Sequence, residues 1–327
     1  MATQGFGQGG GCSKMIPFTQ TQMWAGINSY YNALEPRIIG NSDIYCLFGY
    51  DKKNASWTSF GGPIFFSKPS IKNLTYILST ILEKAKKDNI YSINLRSLFP
   101  LRKWEASIET EFIKFGFTHQ KWETLIIDLN SPEEVIYKNF KHSARKGIKK
   151  AQSLNIRVEK CDSFDIYFSE FLIPYFKATD RLLKDKVFYK KGWDLDVQNI
   201  YSYWVAKDSA GEVLGFLGTY RYDNVATEIM SALSPLAFKQ KIPVQDIMHW
   251  EIIKYHKNIG DSYFDLAGFN PNPLSEKEKN IKRFKEKWGG EVYDVSSYMI
   301  DNKSLVKKII LKIKRFLNSF KKYFAHA

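Results

Sequence analysis

Several residues in this chain have types and positions suited to chemistry. Asp265 closes the apolar run Tyr263-Phe-Asp-Leu266 just before Ala267-Gly268. A glycine there permits close approach of backbone or ligand, so the carboxylate is placed to receive a proton. A strand-end carboxylate bonding backbone N–H groups is the structural alternative. Arg283-Phe284-Lys285-Glu-Lys-Trp288-Gly-Gly follows. Spacing alone makes Lys285 and Lys287 solvated members of a basic helix, and Phe284 and Trp288, at i and i+4, either the wall of a pocket or part of a core. The five histidines form no metal motif: His249 and His256 are seven apart, too far for the i, i+4 zinc pattern. No GxSxG, Walker or Rossmann fingerprint is present.

The remaining candidates are charge clusters. The chain has 327 residues and a net charge of +14. Residues 138–160 contribute +7 and residues 303–327 contribute +8, which leaves the rest at −1. At ~100° per residue, Phe140, Ala144, Gly147, Ala151 and Leu154 follow Ile136 along one arc, with Lys138, Lys141, Arg145, Lys146, Lys149 and Lys150 opposite. Such a face suits phosphates; a merely solvated face is the plainer reading. In 303–324 the apolar residues other than Leu311 fall within an arc of roughly 140°, the pattern of an interfacial helix on an anionic membrane; a helix packed on the first domain is the alternative.

The elements that must position these groups follow from patterning. Residues 1–14 hold five glycines and no apolar core of a signal peptide, and read as a flexible tail. Strands are expected over 43–50, 63–67, 91–95 and 124–129, with helices over 70–88 and 104–115. A second mixed block has helical, aromatic-rich sequence over 164–203, strands over 203–207, 213–221, 226–232 and 262–266, and a helix over 244–257. Between the blocks, Ser131-Pro132-Glu133-Glu134 has the form of a helix start with Ser131 capping. The domain reading is 15–137, a basic connecting helix over 138–160, 161–300, and a basic amphipathic helix over 301–327. No window reaches ~18 apolar residues. The three cysteines share no metal or disulfide spacing, which points to a reduced compartment.

NFKHSARKGIKKAQSLNIRVE (139–159), the strand at 215–222, YFDLAGFNP (263–271) and IKRFKEKWGGEVYDV (281–295), with Gln20-Thr-Gln-Met-Trp24 and Gly61-Gly62-Pro63, resemble the FemABX family of peptidoglycan aminoacyl-tRNA transferases, within the GNAT-like acyltransferases. The resemblance covers about 15–300. It implies an α+β fold of two tandem GNAT-like domains, each a mixed sheet flanked by helices, in the short form without a coiled-coil arm.

It further implies an acyltransferase with no bound cofactor and no metal, acting in cell-wall biogenesis and cell shape. Its donor would be aminoacyl-tRNA and its acceptor an amine on a lipid- or nucleotide-linked precursor. The protein would be monomeric and cytoplasmic, peripheral at the inner face of an anionic membrane through 303–324. Lys285 matches the family position facing the reacting carbonyl, and Asp265 would take the amine's proton. Phe284 and Trp288 would wall the acyl pocket, Arg283 and Gly268 would bind substrate, and Arg145, Lys149 and Lys150 would meet phosphates. Phe238–Val244 has no glycine where acetyl-CoA enzymes place a pyrophosphate-binding loop. The lysine that short members place after Trp24 is absent from 25–28, which favours an acceptor that is not nucleotide-linked. The alternatives are a GNAT N-acyltransferase using acyl-CoA in envelope polysaccharide synthesis, and a tRNA- or membrane-binding protein without catalysis.

Overall fold

The computed structural model describes residues 20, 25, 34–66, 70–96, 106–178, 183–194, 200–222 and 224–301. The amphipathic stretch 303–324 and the tail 1–14 lie outside these. Strands are β1 (Glu35–Gly40), β2 (Ile44–Asp51), β3 (Ser56–Phe60), β4 (Ile64–Phe65), β5 (Ser92–Arg96), β6 (Thr118–Asp128), β7 (Arg157–Lys160), β8 (Tyr201–Lys207), β9 (Val213–Tyr222), β10 (Val225–Leu233), β11 (Tyr263–Phe269) and β12 (Glu291–Asp301). Helices are α1 (Ile71–Lys87), α2 (Ala106–Lys114), α3 (Glu133–Asn139), α4 (His142–Ser153), α5 (Phe164–Ile166), α6 (Ile173–Ala178), α7 (Lys186–Asp194), α8 (Pro235–Lys239), α9 (Val244–Asn258) and α10 (Glu276–Glu286), with a π-helical segment at Tyr167–Leu172 between α5 and α6.

All strands belong to one sheet in the order β1-β2-β3-β5-β12-β6-β11-β10-β9-β8-β7, with β4 paired to β2. Two halves use the same sequence of elements: three antiparallel strands, a helix, a strand parallel to the third, a helix and a last strand. In the first these are β1, β2, β3, α1, β5, α2 and β6; in the second β8, β9, β10, α9, β11, α10 and β12. The last strands are exchanged. β6 pairs with β11 of the second half, β12 with β5 of the first, and β6 with β12 over nine residue pairs from Glu291↔Ile126 to Met299↔Thr118. The strand over 291–301 thus lies between β5 and β6, among first-half elements.

Local chemistry explains the helices. Ser70 caps α1 by accepting from Asn73 N (3.2 Å), and Leu74, Ile77, Leu78, Ile81 and Ala85 form its buried stripe against Phe48, Trp57 and Ile93. The expected start at Ser131 differs: Pro132 is the N-cap without a side-chain bond, and Ser131 Oγ donates to Asp128 instead. The expected continuous helix over 138–160 is also divided into the end of α3, α4 and β7. Phe140 and Lys141 are extended, with ψ of 142° and 154°, because the C-terminal end of α10 docks in the break. Lys141 N donates to Lys287 O (2.8 Å), and the Phe140 ring meets Trp288 and Trp250 edge-on. Ala144, Ile148 and Ala151 of α4 are buried, whereas Leu154 is exposed.

The two glycines after Trp288 are set by the same docking. Gly289 has φ +65°, and a Cβ there would overlap the Asn139 carbonyl; a Cβ at Gly290 would overlap that of Ile126. Gly116 has φ +82° but open space around it. Gly289→Ala should therefore lower the unfolding free energy by ~3 kcal/mol or more, against ~1 kcal/mol for Gly116→Ala, as measured by urea denaturation.

Candidate functional site

The parallel pairs β3·β5 and β10·β11 occupy matching places in the two halves but differ in extent. β3 and β5 pair from Ser56↔Ser92 to Phe60↔Arg96, and Gly61 N continues the ladder onto Arg96 O at 2.6 Å. β10 and β11 pair only at Val225↔Tyr263, Ala226↔Phe264 and Thr227↔Asp265. Register shifts follow at once, between Glu228 and Met230 against β9 and between Asp265 and Gly268 against β6. The strands separate beyond these shifts, and the facing edges of the second half have no ladder partner. Ala267, with φ +60°, makes the turn of the β11 bulge.

Titratable side chains gather where the strands part. Lys285, near the end of α10, donates to Ala267 O (2.9 Å) and Gly268 O (3.0 Å), carbonyls of the parted strand. Asp265 Oδ1 accepts from Thr124 Oγ1 (2.5 Å) and Ala267 N (2.8 Å). On the α9 side, Glu228 meets His249 Nε2 at 3.2 Å, and His249 Nδ1 lies 2.7 Å from Gln245 O. The His249 ring is fully buried, stacked on Trp288 (4.9 Å, 19°) and edge-on to Phe284 (5.1 Å).

The two carboxylates are driven in opposite directions. Burial pushes Asp265 up to about 6, against its bonds from Thr124 and Ala267 and the charge of Lys285. Burial also works to raise Glu228, but His249, Lys285 and Ser231 hold it below its usual range. Desolvation lowers Lys285, while Glu228 and Asp265 pull it back up. One acid is held ionised and the other poised to exchange a proton, and the charge of Lys285 acts on both.

The sequence-derived residues divide accordingly. Lys285, Asp265 and Gly268, through its carbonyl, come together. Phe284 is half-buried against the core beside His249. Trp288 is fully buried, on Phe140 and His249, so the core alternative describes it. Arg283 points away, toward Asn280 and Glu276. Arg145 donates to the carbonyls of Lys138 and Phe140 at the α3–α4 break, and Lys149 and Lys150 are exposed on α4. Lys287 is no solvated helix residue: it pairs with Asp246 and lies over the Phe284 ring. Glu228 and His249 were missed, although an acid inside the apolar strand VATEIMSAL and a histidine amid IMHWEII were visible signals.

Elsewhere Thr219, His256 and Asp261 are aligned like a nucleophilic triad, with His256 3.3 Å from Thr219 and 2.8 Å from Asp261. All three are at most 3% exposed, and Arg221 also donates to Asp261 (2.6 Å), so the set braces β9 against the end of α9. Gln20, the described residue of the QTQMW segment, is likewise structural: it donates to Leu47 O and accepts from Leu47 N. Among the described residues no group of three or more His, Cys, Asp or Glu is placed to hold a metal ion, and no helix is long and apolar enough to cross a membrane.

No protein-family model and no curated protein sequence matches the chain. Solved structures do. A crystal structure of FemX superposes with a TM-score of 0.68 at 14% identity, covering 90% of this chain and 95% of that one. The C-terminal domain of a putative lysylphosphatidylglycerol synthetase from Agrobacterium fabrum gives 0.55 at 11% identity, covering 85% and 87%. A tandem GNAT protein from the clavulanic acid biosynthesis pathway gives 0.50 at 8% identity, covering 86% and 95%. The fold is therefore FemABX/GNAT-like, a mixed α+β architecture with a large mixed sheet flanked by helices.

The Asp265 shift has a measurable consequence. Its native pKa lies above the unfolded value, so the native state binds more protons between about pH 4 and 6. The contribution to stability is fully present below pH ~4 and lost as pH rises through ~6, by a few kcal/mol. Asp265→Asn should abolish this trend in denaturation midpoints measured from pH 4 to 7.

Proposed function

We propose that this protein is an aminoacyltransferase that moves an amino acid from aminoacyl-tRNA to an amine of a peptidoglycan precursor. The observation that carries the reading is the parted β10/β11 pair with Lys285 and Asp265 at its mouth. Unpaired strand edges offer backbone hydrogen bonds to an extended donor arm, and alignment of two substrates there can supply several kcal/mol. The amine nitrogen attacks the ester carbonyl carbon, and the ammonium of Lys285 stabilises the oxyanion. The ester C–O bond breaks, and the proton lost by the amine passes through Asp265 to the departing ribose oxygen. The products are an amide and uncharged tRNA.

The start of α9 supports a donor other than CoA. Asp246 occupies the first turn of that helix, paired with Lys287 and packed against Gly147 of α4, so the N-terminal dipole already faces a carboxylate. The exposed lysines of α4 offer charge to a tRNA backbone. Peripheral binding to anionic lipid through 303–324 belongs to the same proposal. N-acyl transfer from acyl-CoA is a second reading, favoured by the likeness to a tandem GNAT protein.

Incubation with charged tRNA, acetyl-CoA and precursor, followed by the mass of the acceptor, tests both. Aminoacyl addition is expected; acetylation favours the second reading, and no addition leaves a binding protein without catalysis. Lys285→Met should lower turnover by about 10²–10³-fold, equivalent to ~2.7–4 kcal/mol, and near-normal turnover would remove its assigned role. Truncation after Asp301 should abolish binding to anionic vesicles while leaving the fold intact by circular dichroism.

A further inference from the structure

Asp265 and Glu228 sit next to each other in the sheet but are handled differently. Asp265 belongs to the last ladder pair, opposite Thr227, and turns to Thr124 on β6. Glu228 follows Thr227 of the same pair and turns to α9, where His249 is a buried support. Its side chain is 12% exposed and that of His249 is 0% exposed. The histidine is thus sealed behind, stacked on Trp288, while Glu228 keeps some exposure at the point where β10 and β11 part. The transfer as proposed has work for Lys285 and for Asp265 and none for this second carboxylate.

Ionised carboxylates at low exposure are costly unless paired. Glu228 is supported by His249 from behind and by Ser231 and the nearby charge of Lys285. A group so surrounded is a poor acceptor for a proton but a good acceptor of hydrogen bonds from a second cation. Of the two donor classes, an acetyl group has nothing to offer such a carboxylate. An aminoacyl group carries an α-ammonium on the carbon next to the reacting carbonyl, hence within a few ångströms of the oxyanion that Lys285 would face.

We propose that Glu228, held by His249 at the opening between β10 and β11, is the specificity residue that recognises the α-ammonium of an aminoacyl donor. The inference rests on the aminoacyl-transfer reading and names the feature of the donor that this site selects. His249 acts as a positioning residue: stacked on Trp288, it fixes the carboxylate and touches no substrate.

The test is calorimetric titration of the full-length protein with two aminoacyl-adenosines whose ester is replaced by an amide, one with a free α-amine and one N-acetylated. Wild type should bind the free-amine analogue about tenfold more tightly, the scale of one charge-assisted hydrogen bond. Glu228→Gln should erase that preference by weakening the free-amine analogue, and Glu228→Asp, which retains the charge, should keep most of it. Equal binding of both analogues by wild type overturns the inference, as does a preference that survives in Glu228→Gln. The wild-type comparison decides the matter even if the glutamine variant does not fold. A glutamine variant that binds both analogues normally yet loses turnover with every donor would make Glu228 a proton acceptor and also overturn it. Binding without preference leaves aminoacyl transfer standing, whereas binding of neither analogue refutes the inference and removes aminoacyl transfer with it.

Discussion

The antiparallel ladder between β6 and β12 is the joint on which both halves depend. Each strand closes the sheet of the other half, so the nine residue pairs from Glu291↔Ile126 to Met299↔Thr118 hold two cores in one sheet. They also fix the site. Trp288, Gly289 and Gly290 lead from α10 into β12, and their fit against Asn139, Phe140 and Ile126 sets where α10 ends and thus where Lys285 meets β11. On the other side, β6 supplies Thr124 to Asp265. A one-residue slip in this ladder would turn every side chain to the opposite face and separate Lys285 from both carboxylates.

The same fold treats its two parallel pairs unequally. β3 and β5 stay zipped from end to end, while β10 and β11 part after three residue pairs. The second half therefore carries, where its strands part, backbone without a ladder partner beside buried carboxylates, a local cost of order 1–3 kcal/mol for each unmatched polar group. Lys285 offsets part of that cost by donating to Ala267 and Gly268. Its ammonium is at once a structural plug for the parted strands and the charge best placed to meet a substrate that displaces it.

Much of this arrangement is legible in the sequence. The stripe of Leu74, Ile77, Leu78, Ile81 and Ala85 marks α1, and the strands of the second half show their apolar runs. Asp265 before Ala267-Gly268 is visible as chemistry, whereas spacing alone leaves Lys285 a solvated residue of a basic helix and only the family resemblance marks it. β12 is not. Its sequence EVYDVSSYMID mixes polar and apolar residues because it lies between β5 and β6, and buried Ser297 is satisfied by Asn94, a residue over 200 positions away. The break at Phe140-Lys141 is hidden for a similar reason: helical periodicity continues through it, and only the docking of α10 forces extended backbone there. Glu228 and His249 were legible singly, as polar residues in apolar contexts. Their pairing across β10 and α9 is tertiary and has no local signature.

The exchange of last strands also constrains how the chain comes into being. During synthesis β5 and β6 emerge early, but the strand that must lie between them is completed only at Asp301, about 170 residues later. At ~5–20 residues per second those edges wait roughly 10–35 s, beside a nearly finished apolar core around α1. Exposed edges of that kind pair with other chains. The nascent protein thus presents unpaired sheet edges over the whole span in which its second half is being made, and the order of translation sets how long they stay open.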